Sequence, residues 1–138
     1  MKRLITALLV IGLPVALMST QIHASNMAEE KPTQHLKVAE VTSMEQAKKV
    51  FLMKTAEMMS KQQIDQKAAA DIHIITYTLE QSVAYFTENL TGEKQALATQ
   101  MAEVVERIHL TSETSRTDQL KTHLGEYYQL VDQFLFSF

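Results

Sequence analysis

The chain has 138 residues, no cysteine, three glycines, two prolines and a formal charge of −3. Without thiols, disulfides, thiolate catalysis, iron–sulfur clusters, Cys-type zinc sites and covalent haem attachment are excluded. An acidic balance with no basic stripe argues against nucleic acid as a partner, and the shortage of Gly and Pro favours helices and leaves no phosphate-cradling loop.

Residues 1–24 read as a secretory signal peptide. Lys2 and Arg3 form a positive start, Leu4 to Met18 is an apolar run broken by Gly12 and Pro14, and Ala24 offers a small residue for cleavage, although Ile22 departs from the usual small-residue rule. The run is too short and too interrupted for a good membrane span. Cleavage near Ala24 would place residues 25–138 in the periplasm, with no membrane attachment. In that product 11 of the 13 basic residues face 16 acidic ones. Residues 25–42 are polar, contain Pro32 and show no period, so a flexible leader is expected, ending where Leu36, Val38 and Val41 pack on the domain.

From residue 43 to 138 the pattern is helical. "SMEQ" is a capping box with Ser43 at the cap and Gln46 three residues on. Helix 1 carries Ala47, Val50, Phe51 and Met58 on one face, and Met44, Leu52 and Met59 widen it, so it is apolar over much of its circumference. "SKQQID" is the first connection, and Asp65 caps helix 2. Ala68, Ile72, Ile75, Leu79, Val83, Phe86 and Leu90 form its inward stripe. The chain turns at "NLTG", and helix 3 follows with Leu97, Met101, Val104, Ile108 and Thr111. "SETSRTD" is the last connection. Helix 4 carries Leu120, Leu124, Tyr127, Val131, Phe134 and Phe138, with Gly125 on its outer flank and Phe136 off the stripe. The expected fold is all-α, an antiparallel up-down-up-down four-helix bundle.

Two histidines repeat one context, Ile72-His73 and Ile108-His109. His73 shares a flank with Tyr77 and Glu80; His109 has Val105, Ser112 and Glu113 near it. Each histidine is 18 residues from Thr91, so both should lie about 27 Å from the turn, at one level, given a rise of 1.5 Å per residue. In one sense of bundle turn the two flanks converge between helices 2 and 3; in the other they diverge. Converged, His73, His109 and a carboxylate from Glu80 or Glu113 are a donor set for a divalent metal. The competing reading is a pair of boundary residues, each bonded to a carboxylate or to Tyr77. No H-E-x-x-H or E-x-x-H motif strengthens the metal reading. A second constellation, Met53 with His123, is weighed for non-covalent haem, but Met53 sits away from the main face of helix 1. No Ser, His and Asp arrangement supports an enzyme.

The run Ile72-His73-x-x-Thr76-Tyr77-x-Leu79-Glu80, followed by Ile108-His109-x-x-Ser112-Glu113, resembles a family of small exported helical proteins of Gram-negative bacteria, a domain of unknown function. The resemblance runs over residues 43–135 and implies an exported helical domain without an assigned activity. The bundle architecture is also similar to cytochrome b562, at the level of fold only. The functional expectation is a non-enzymatic binding protein for a metal ion or small ligand at the level of His73 and His109. Its rival is a structural or protein-interaction role, by self-association or with a protein partner, in which "YYQLVDQFLFSF" would dock.

Overall fold

The computed structural model describes residues 38–137. The expected signal peptide, the leader as far as residue 37 with Leu36, and Phe138 lie outside the described residues. Four helices follow in order: α1 (Met44–Met59), α2 (Gln66–Asn89), α3 (Gly92–Glu113) and α4 (Thr117–Phe136). Among the described residues there is no strand.

The caps explain where the helices start. The Gln46 N–H donates to Ser43 Oγ at 3.2 Å, as the capping box requires. The return contact is displaced by one residue: Gln46 Oε1 accepts from the Thr42 N–H at 3.0 Å rather than from Ser43. With Val41 only 8% exposed, this fixes the chain just before α1 to the core. Asp65 Oδ1 accepts from the Ala68 N–H at 2.8 Å and starts α2. Between α2 and α3 stand only Leu90 and Thr91, and Gly92 holds φ at +64°, a left-handed value that L side chains rarely adopt.

The last connection is shorter than the seven residues of "SETSRTD". Ser112 and Glu113 continue α3, and Thr117 and Asp118 already belong to α4, leaving Thr114–Arg116 as the turn. Its closure is a Schellman motif. The Arg116 N–H donates to the Thr111 carbonyl at 2.9 Å and the Ser115 N–H to the Ser112 carbonyl at 3.1 Å. Ser115 occupies the left-handed position, φ +51°, that glycine usually fills.

Among the described residues the inward stripes of α2, α3 and α4 are buried as expected, Leu90 being half-buried at the end of α2. Helix α1 departs from expectation. Ala47, Phe51 and Met58 are buried, but so is the polar Thr55, while Leu52, Met53 and Met59 are 49%, 51% and 62% exposed. The reason lies in the packing. Consecutive helices pack side by side, and α2 also touches α4, yet no Cα of α1 comes within 8 Å of a Cα of α4. These two meet through side chains: Phe51 packs edge-on against Phe134 at 5.7 Å, as it does against Phe86 of α2 at 5.5 Å, and Thr55 and Tyr127 share a buried hydrogen bond of 2.6 Å. Among the described residues, the outer half of α1 is left without a neighbour.

Candidate functional site

The α2–α3 pair decides the question raised by the two histidines. Ile72 and Ile108 are fully buried and orient both helices. The following residue then falls on the flank where the helices meet. Three residues beyond each histidine a small hydroxyl residue is buried. Thr76 Oγ1 donates to the His73 carbonyl at 2.7 Å, and Ser112 Oγ to the His109 carbonyl at 2.8 Å. The two Ile-His-x-x-Thr/Ser runs thus have one local structure, used twice on antiparallel helices. Their hydroxyls turn back on their own backbone, leaving small surfaces at the interface.

The two flanks converge. The rings of His73 and His109 stand with centroids 4.7 Å apart at an interplanar angle of 88°. Tyr77 completes a triangle, 5.1 Å from His73 and 4.9 Å from His109, both edge to face. His73 Nε2 lies 3.1 Å from the Tyr77 hydroxyl, and His109 Nδ1 lies 2.7 Å from Glu80 Oε1. Tyr77, expected on a polar ribbon beside the core, is 6% exposed. His73 Nδ1 is sealed from solvent and has no hydrogen-bond partner. A proton on Nε2, donated to Tyr77, leaves only a lone pair at Nδ1; the other tautomer would orphan a buried N–H, which costs more. Burial above all, then the neighbouring His109, holds the His73 imidazole below the ordinary histidine range, against the pull of Glu113, of the His109 backbone and of Glu80.

Of the four residues expected to hold a metal, His73, His109 and Glu80 are therefore brought together, but as a cluster in which each partner answers another. Among the described residues no group of three or more His, Asp or Glu is placed to hold a metal ion. Glu80 is engaged by the imidazole it was expected to assist. Glu113 lies on the wall of an adjoining groove of about 410 Å3, together with Glu80, Glu106, His109, Tyr77 and Leu110. Glu106 was not singled out from the sequence. Its signal was present, since Glu106, His109 and Glu113 repeat at three and four residues along one face of α3.

The haem constellation does not form a face-to-face pair. Met53 is 51% exposed on the outer side of α1. His123 is half-buried on α4, its Nδ1 3.6 Å from the Glu126 carboxylate, which Arg107 engages at 2.8 Å and holds below the usual carboxylate range.

A family match spans residues 1–135. The chain belongs to DUF6746, a family of unknown function. The match is wider than the 43–135 of the sequence resemblance at its start, taking in the N-terminal segment, and both end at residue 135. No curated protein and no solved structure matches the chain. Membership in DUF6746 supplies no activity, so the chemistry of the site rests on the residues described above.

Proposed function

We propose that the chain is an exported, non-enzymatic helical bundle that binds a small organic cation, such as an amine, in the groove beside the His73–His109 crossing. The supporting observation is the groove itself. Its volume of about 410 Å3 suits a small ligand, and its walls carry Glu80, Glu106 and Glu113 beside Tyr77 and His109. Carboxylates attract a cation, and aromatic faces add a weaker attraction of the same sign. Export rests on the charged, apolar and small-residue order of residues 1–24. The test is titration of the purified protein with putrescine, followed by NMR, alongside native mass spectrometry of protein prepared without chelator. Saturable shifts centred on Glu106 and His109, lost in Glu106→Gln, are expected. A bare mass and an unchanged spectrum would remove the reading; a response to Zn2+ or Cu2+ alone would replace the organic cation by a metal ion.

A second reading, a protein-interaction module, draws on the opposite side of the bundle. Between α1 and α4 lies an apolar groove of about 170 Å3, floored by Phe51, Phe86 and Phe134 and edged by Leu52 and Leu135. Phe136, next in the chain, is 96% exposed. An exposed Phe beside an apolar groove is an uncommon feature for a surface without partners.

A further inference from the structure

We propose that the His73–His109 crossing is a proton-operated latch between α2 and α3, closed while the His73 imidazole is neutral and loosened when it takes up a proton. The latch does not depend on a ligand in the adjoining groove. Its basis is the geometry of the ring triangle: two imidazoles from different helices, 4.7 Å apart, packed edge to face with Tyr77. The groups that face the pair are Tyr77 and Glu80 from α2 and Glu106 and Glu113 from α3; Val38, from the segment before α1, adds no charge.

His109 keeps its Nδ1 2.7 Å from the Glu80 carboxylate, so that nitrogen already faces a partner. A proton on His73 is a different matter. Protonation makes both ring nitrogens donors, and buried Nδ1 forms no hydrogen bond in this arrangement, the pull of the His109 backbone being outweighed by burial. The new charge would also stand one ring away from His109, which opposes it. A proton therefore goes onto His73 only if the rings separate or solvent enters between them. Because these rings belong to different helices, the movement that relieves them parts α2 from α3 at this level.

The direction with pH follows. In the unfolded chain a histidine takes up its proton near pH 6.5, whereas folded His73 does so lower, its burial and His109 opposing the charge. Above about pH 6.5 both states are neutral and the latch adds no pH dependence. As pH falls below that value the unfolded chain binds more protons than the folded one, and stability is lost.

The test uses the purified protein. The histidine ring signals are followed by NMR from pH 8 to 5, and thermal melts of wild type and His73→Gln are compared at pH 7.5 and 5.0. His73 is expected to titrate below the ordinary histidine value of 6.5. The wild-type Tm is expected to fall between the two pH values by roughly 5 °C more than that of His73→Gln, in which the amide cannot take up the proton. An equal fall in both proteins, or a His73 ring that titrates at or above the ordinary histidine value, would overturn the latch. If His73→Gln does not fold, the wild-type ring titration decides alone.

Discussion

Thr76 and Ser112 account for much of the behaviour of the histidines three residues before them. Each is buried, each returns its hydroxyl to the histidine carbonyl, and each presents a small surface where α2 and α3 meet. Position rather than residue type decides other outcomes at this scale. Ser115 carries the left-handed turn that glycine adopts freely, so Ser115→Gly should raise stability by about 0.5 kcal/mol, read from denaturant midpoints at constant slope. Gly125 is exposed in mid-helix with open space where a Cβ would go, and Gly125→Ala should stabilise by about 1 kcal/mol in the same assay. Thr55 is a buried polar residue on an otherwise apolar face, and its partner Tyr127 is so deeply buried that its phenol is pushed well above the usual tyrosine range. Thr55→Val should cost about 1–3 kcal/mol by leaving that hydroxyl without a partner, and adding Tyr127→Phe should recover part of the loss. The caps at Ser43 and Asp65 were legible in the sequence because capping is a local pattern. The Thr55–Tyr127 bond was not, because its partners are 72 residues apart and only tertiary packing joins them.

Helix α1 is where periodicity and burial part company. Its sequence is apolar on two sides, and periodicity alone treats both as core. The structure buries the Ala47–Phe51–Met58 side and exposes Leu52, Met53 and Met59, because α4 approaches α1 through side chains and not along its length. Two adjacent residues should therefore respond very differently. Phe51→Ala should cost about 3–5 kcal/mol, as it removes a ring shared by Phe86 and Phe134, while Leu52→Gln should fall within about 0.5 kcal/mol of wild type in thermal melts. A large loss at Leu52 would mean that its side chain is covered in the working protein. In α2, α3 and α4 periodicity and burial agree residue for residue over most of the stripe, since α2 and α3 have a helix on either side and α4 packs on α3 and also touches α2. Tyr128, on the α4 flank, is half-buried, and its phenol is pushed up to about 12 by that burial.

At the scale of the whole molecule, the two sides of the bundle differ in chemistry: an acidic groove at the α2–α3 crossing and an apolar groove between α1 and α4. They suggest separable experiments. Phe136→Ser, combined with Leu135→Gln, should leave the fold intact, because these side chains are 96% and 44% exposed. If the apolar side is a contact surface, sedimentation across a concentration series should show the wild type associating and the double variant monomeric; identical monomeric behaviour would leave that surface without a role in self-association. Neither substitution should alter putrescine binding at the other groove.

The sequence by itself determined the four helices, most of the inward stripes, the Ser43 and Asp65 caps and the common level of His73 and His109. All of these follow from backbone geometry and periodicity along a single chain segment, and equal spacing from one turn is enough to set a level. Whether the two histidine flanks met was a matter for the tertiary structure alone. A helix pair can turn in either sense at Thr91 without changing any local pattern, and the sense is chosen by how all four stripes pack together. The same packing left the outer half of α1 uncovered among the described residues, buried Tyr77, and tied Glu80 to His109 beside the His73 ring.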